Sequence, residues 1–171
     1  MRSVAEMHTE LDADTPTAAY RAAAEAGDVE AALACVAPGV TLTSPITDAF
    51  AFHGREQFRA LLEDVFAVIE DRRYVADAGD DRTRVLKGTG RVNGIAIEEA
   101  FLVTLDADGL IERVELFVRP LPGLTALAAA LGPRVARRRS RARAIAVAAM
   151  IKPLAFMTRS GEGVGARLAR P

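Results

Sequence analysis

The sequence predicts an α+β domain with helices on one face of a sheet, followed by a basic helical extension. Three observations carry that expectation. Residues 15–69 contain three helix-like segments punctuated by proline, glycine and aspartate. Residues 72–119 contain four strand-like segments separated by short polar turns, and beyond residue 119 the composition turns basic. With 171 residues, half of them apolar, the chain can build one real core and an appendage.

The first helix is expected over 15–27, with Thr15 as cap, Pro16 at the first helical position, and Gly27 as terminator. Asp28 caps a second helix to about residue 36, which Pro38-Gly39 stops. Residues 40–44 alternate apolar and hydroxyl side chains, the pattern of a half-buried strand. A loop over 47–53 leads to Gly54 and a third helix over 55–69, where Phe58, Leu61, Leu62, Val65, Phe66 and Ile69 recur at helical spacing. Strands over 72–78, 82–91, 95–105 and 110–119 follow, joined by turns rich in glycine and aspartate.

Charge divides the chain. Residues 1–118 hold 22 acidic and 11 basic side chains, whereas 119–171 hold 11 basic ones and Glu162. Such asymmetry marks the extension as a segment with contacts of its own. The single Cys35 lies in an apolar run and reads as a buried thiol, and His8 and His53 make no zinc-ligand pattern. No metal and no cofactor are expected. Residues 1–14 carry Glu6, Glu10, Asp12 and Asp14, unlike a secretory signal, and read as a flexible arm. The longest uncharged apolar run, 144–151, is too short to span a bilayer, so a cytoplasmic location is expected.

The stretch from Tyr20 through Ala26-Gly27-Asp28 to Ser44-Pro45 resembles the opening of the SnoaL-like and nuclear transport factor 2-like superfamily, which includes the ketosteroid isomerases. The resemblance covers about residues 15–120. It implies a cone-shaped, curved antiparallel sheet with three N-terminal helices, over domain boundaries of 15–122 and a C-terminal extension of 123–171. It also implies a conical cavity, and strand parity then names its lining: Leu42 and Ser44, Phe101 and Val103, and Val114, Leu116 and Val118, with Phe58, Leu62 and Phe66 from the third helix. Such a lining suits an apolar small molecule.

The ketosteroid isomerase mechanism needs a carboxylate base and two donors at the enolate oxygen. By resemblance the tyrosine donor falls on Tyr20, the base on Ser44 and the second donor on Phe101. Neither serine nor phenylalanine supplies the required group, so that mechanism is not expected. Glu98 and Glu99 must face opposite sides of a regular strand, and parity places Glu99 with Phe101, toward the cavity. There a raised pKa would suit acid–base work; the alternative is a solvated or arginine-paired carboxylate. His53 and Asp48, in the rim loop, are further candidates if they point inward, and otherwise ordinary loop residues.

Two functions remain open at this stage. One is a cone that binds an apolar molecule with isomerase, cyclase or hydrolase chemistry. The other is a non-catalytic dimeric module whose basic tail contacts a membrane surface or a protein partner. Phe117 on the sheet's outer face, beside Thr83, Arg91, Glu115 and Arg119, suits a homodimer interface. In the tail, a helix with Leu124, Leu127 and Leu131 is expected to end at Gly132, and a second to start at Pro133 and break at Lys152-Pro153, before a loose glycine-containing end. Arg134, Arg137, Arg138 and Arg141 line one face. Docking of this tail on the acidic domain ranks first, a membrane surface second and nucleic acid last.

Overall fold

The computed structural model describes residue 11 and residues 13–168, with the side chains of 164 and 166 excepted. His8, Glu6, Glu10 and Asp12 of the expected arm lie outside these residues. The elements are α1 (Ala18–Ala26), α2 (Val29–Ala34), β1 (Val36–Thr43), β2 (Ala51–His53), α3 (Gly54–Phe66), β3 (Glu70–Gly79), β4 (Thr83–Val92), β5 (Ile95–Leu105), β6 (Ile111–Arg119), α4 (Leu121–Arg137) and α5 (Arg141–Leu168). The strands form one sheet in the order β2-β1-β6-β5-β4-β3. All neighbours are antiparallel except β1 and β6, which run parallel, so the sheet is mixed.

Several boundaries differ from expectation for local reasons. Pro38-Gly39 does not stop a helix; it lies inside β1, where the register against β6 shifts between Val36 and Thr41. Residues 51–53 are a short edge strand rather than loop. Thr15 does not cap α1, because its hydroxyl donates to Asp77 instead. In the tail, α4 runs through Gly132-Pro133 and α5 runs unbroken through Pro153 and the glycines. Leu11, within the expected arm, packs against the core.

Two hydrophobic clusters fill the concave side. The larger joins Tyr20, Leu33, Leu42, Phe58, Leu62, Leu86, Phe101, Val103 and Val114. The smaller lies under α4 and joins Ile69, Val92, Ile97, Ala126 and Leu127. Helix α4 approaches closely at Gly123, where a Cβ would stand 2.8 Å from Ile97 Cγ2 and 3.0 Å from the Ala96 carbonyl. Its far end is tied to α3 by Arg138, which donates to Asp64 at 3.0 Å and pairs with Glu63 at 3.3 Å. Among the described residues no helix is long and apolar enough to cross a membrane.

Asp77 anchors the entry of the chain. A bulge in β3, where the register slips between Tyr74 and Ala76, turns both Tyr74 and Asp77 inward although they are three residues apart. Asp77 accepts from Thr17 at 2.7 Å, Thr15 at 2.9 Å and Arg84 at 2.7 Å, and pairs with Arg21 at 2.8 Å. Burial works to raise its pKa, but the bonds from Thr17, Arg84 and Thr15 prevail and hold it below the usual aspartate value.

Two outcomes follow. Asp77→Ala removes one side of a buried ionic network and should cost about 3–5 kcal/mol in denaturant unfolding. Because the folded pKa lies below the unfolded one, this stabilisation is present above the unfolded aspartate value and fades as pH falls through the folded one. The Asp77→Ala difference should therefore shrink in acid. Gly123→Val should loosen α4 and lower stability by about 1–3 kcal/mol through overpacking against Ile97.

Candidate functional site

Parity along β5 buries Ile97, Glu99, Phe101, Val103 and Leu105 on the concave side. Across the sheet Glu99 sits between Gly88 of β4 and Val118 of β6. The Tyr74 ring lies over Gly88, 3.7 Å from where a Cβ would be, an ordinary packing distance. Glu99 is 2% exposed in a largely apolar setting. Its partner is Arg72 from β3, also buried, with Nη2 3.4 Å from Oε1 and 3.3 Å from Oε2. Phe66 of α3 lies beneath the guanidinium, 5.6 Å from ring centroid to Cζ, a cation–π contact.

Both tyrosines of the chain belong to this cluster. Tyr20 of α1 and Tyr74 of β3 are buried, and Tyr74 packs on Phe101 with centroids 5.9 Å apart. Burial pushes the Tyr20 pKa up to about 12; Arg72 opposes the shift and Glu99 adds to it. Burial likewise moves Tyr74 well above its ordinary value. Both phenols therefore keep their protons and remain donors near neutral pH. Burial raises the Glu99 pKa, and Arg72 offsets the effect only in part.

The polar atoms of this cluster are poorly satisfied. Tyr74 Oη, Arg72 Nε and Glu99 Oε2 are buried without a hydrogen-bond partner. Each such atom is costly unless something else meets it, which makes the cluster a place for a polar ligand atom or water. A cleft of about 320 Å³ runs beside it, walled by Glu25, Gly27, Phe66, Ile69, Arg72 and Arg73 among others.

The predicted site residues distribute unevenly. Tyr20, Glu99 and Phe101 meet in the interior, and Phe66 reaches it through Arg72. Leu42, Phe58, Leu62, Val103 and Val114 are core residues; Leu116 packs beside them, and Val118 belongs with the cluster under α4. The middle of the expected cavity is occupied by Phe58, Phe101 and Leu86, each at most 5% exposed. Ser44 is half-buried, and its hydroxyl accepts from the Ile46 amide at 3.1 Å, a local turn. His53 does not point inward. Phe52 packs on the core, so alternation turns His53 outward, where its Nδ1 lies 3.5 Å from the Thr41 hydroxyl. Asp48 is likewise exposed in the loop before β2. Cys35 is half-buried and donates to the Ala31 carbonyl at 3.4 Å.

Arg72 and Tyr74 escaped the sequence reading, because Arg72-Arg73 looks like a solvated charge pair. The available signal was the alternation of Arg72 with Tyr74 on a strand, opposite a carboxylate that parity buries.

A family model described as a SnoaL-like domain matches residues 17–114. The chain belongs to the SnoaL-like domain family. Solved structures agree in fold. A Silicibacter pomeroyi DSS-3 protein with a cystatin-like fold is 27% identical, over 70% of this chain and 84% of that one, with a TM-score of 0.66. A steroid delta-isomerase from Pseudomonas aeruginosa is 25% identical, over 72% of this chain and 91% of that one, with a TM-score of 0.65. A Kribbella flavida DSM 17836 protein is 22% identical over 75% of this chain and all of that one, with a TM-score of 0.57, a likeness of fold alone. Comparison with curated proteins gives no significant match. Helices α4 and α5 lie beyond the segment that matches the SnoaL-like domain.

The pairing of Arg72 with Glu99 has a thermodynamic signature. Arg72→Met strands a buried carboxylate and should destabilise by about 3–5 kcal/mol. Adding Glu99→Leu should recover most of that loss, as urea unfolding of the single and double variants would record. Equal, additive losses would mean that the two groups do not depend on one another.

Proposed function

We propose that this SnoaL-like protein is an acid–base enzyme for an apolar small molecule bearing a carbonyl, with isomerase-like or cyclase-like chemistry. The observation that carries this reading is the buried Tyr20–Arg72–Tyr74–Glu99 cluster with its unsatisfied polar atoms. The 25% identity to the steroid delta-isomerase supports the reaction class. The mechanism differs from that of the ketosteroid isomerases in where the base stands, since Ser44 and Phe101 supply neither base nor donor.

In the proposed mechanism the substrate enters from the cleft beside Arg72 and Phe66. Its carbonyl oxygen accepts hydrogen bonds from the tyrosine hydroxyls, which develop their full strength as the oxygen gains charge. Glu99 removes a proton from the carbon next to the carbonyl, and the electron pair moves onto oxygen as the enolate forms. Glu99 then returns the proton at another carbon, which regenerates the carboxylate and releases the isomer. Arg72 is a positioning residue: its charge keeps the carboxylate ionisable inside an apolar wall. The raised Glu99 pKa moves the base toward working pH, which is favourable for proton transfer in both directions.

A second reading is favoured by the filled middle of the cone. With Phe58, Phe101 and Leu86 closing it, the domain would serve as a non-catalytic dimeric module and the cluster as a structural ion pair. In either reading we propose a homodimer through the sheet's outer face. There Phe117 is 58% exposed, Val85 is exposed, and Glu98 pairs with Lys87 and Arg119.

Deuterium exchange separates the two readings without knowledge of the substrate. Incubated in deuterated water with a panel of apolar ketones, the protein should catalyse exchange of protons next to the carbonyl, read by proton NMR. Glu99→Gln should lower that rate by about 10²-fold or more, and Tyr20→Phe by about 10-fold or more. Exchange no faster than in buffer, with Glu99→Gln indistinguishable from the wild type, would favour the non-catalytic module.

A further inference from the structure

Helix α5 receives nearly all of its packing from α4. Its inner side carries Ala144, Val147 and Ile151, the last two closing on Gly132, and Thr158 shares a 2.6 Å hydrogen bond with Thr125. The opposite side is bare. Ile145, Met150, Phe156 and Met157 are 60–77% exposed there, with alanines between them. At 100° per residue these side chains span a broad outward face that carries no charged residue between positions 144 and 151.

The borders of that face are cationic. Arg141, Lys152 and Arg159 are spaced i, i+11, i+18 and so run in one line along one edge, while Arg143 stands on the other. From residue 116 to residue 161 the chain has no acidic side chain. Arg134 and Arg138 are partly neutralised by Asp64 and Glu63 of the domain. No ion pair joins Arg141, Arg143, Lys152 or Arg159 to a carboxylate among the described residues.

We propose that α5 docks this SnoaL-like protein on an anionic lipid bilayer surface. An apolar face bordered by basic rows matches such a surface on both counts: aliphatic and aromatic side chains enter the acyl boundary while long cationic side chains reach the headgroup phosphates. The helix does not meet the requirement for crossing a membrane, so it lies in the interface plane. A second copy of α5 is a poorer match, because it would bring cationic rows together with no acidic row to receive them. Nucleic acid is also poorer, since the centre of the face is apolar rather than charged. The acidic excess of residues 1–118 lies on the domain, and docking through α5 places the opposite charge against the lipid.

The full chain should co-sediment with vesicles of mixed phosphatidylglycerol and phosphatidylcholine at about 0.1 M salt, and at least about tenfold less with phosphatidylcholine alone. Raising salt to about 0.5 M should remove most of the binding. A Met150→Asp/Phe156→Asp variant and an Arg141→Glu/Lys152→Glu/Arg159→Glu variant should each lose about tenfold or more, with wild-type circular dichroism and Tm. Because the chain has no tryptophan, Phe156→Trp is a clean reporter, and its emission should shift to the blue on anionic vesicles. Absence of wild-type binding to anionic vesicles, equal binding to neutral ones, or an unshifted emission from the Phe156→Trp variant would overturn the proposal. So would a dimer that dissociates in the Met150→Asp/Phe156→Asp variant while the wild type ignores vesicles.

Discussion

A charged group taken out of water must be met by partners at contact distance, and this constraint separates two carboxylates on the concave side of the sheet. Asp77 is met by three hydrogen bonds, from Thr15, Thr17 and Arg84, and by the Arg21 guanidinium as an ion pair, all at 2.7–2.9 Å. Glu99 is met by one guanidinium at 3.3–3.4 Å and leaves an oxygen without a hydrogen bond. Their pKa values consequently move in opposite directions, Asp77 down and Glu99 up. The satisfied carboxylate holds the chain entry to the sheet. The unsatisfied one keeps capacity for something that is not part of the fold, and around it stand two protonated phenols and an arginine.

The way the sheet is built makes this placement possible. The bulge in β3 allows Tyr74 and Asp77 to share the inner side, and the Tyr74 ring packs over Gly88 of β4. Helix α4 closes the other end over Ile97, the next inward-facing residue along β5 from Glu99. Apolar residues thus flank Glu99 on both sides along β5, which lowers the local dielectric around the ion pair.

Much of the fold was legible in local patterns. The family assignment followed from the Tyr20 to Pro45 stretch, and β5 was read with its observed limits because the turns at 92–94 and 106–109 bound it. Parity alone put Glu99 inward. What local patterns hid is non-local. Thr15 looks like a cap, but Asp77, sixty-two residues away, takes its hydroxyl. Arg72 looks solvated until Glu99 and Phe66 are folded around it. Gly132 read as a helix end, Pro133 as a new start and Pro153 as a break, yet packing of α4 on α5 accompanies helices that run through all three.

The central claim is that Glu99 is a desolvated carboxyl held by Arg72, and its own titration tests that most directly. Carbon-13 NMR of the side-chain carboxyl, assigned by Glu99→Gln, follows the group without any substrate. The account predicts a midpoint above the ordinary glutamate value, and a further rise in Arg72→Met, where the offsetting charge is gone. A midpoint at or below the ordinary value, unmoved by Arg72→Met, would contradict it.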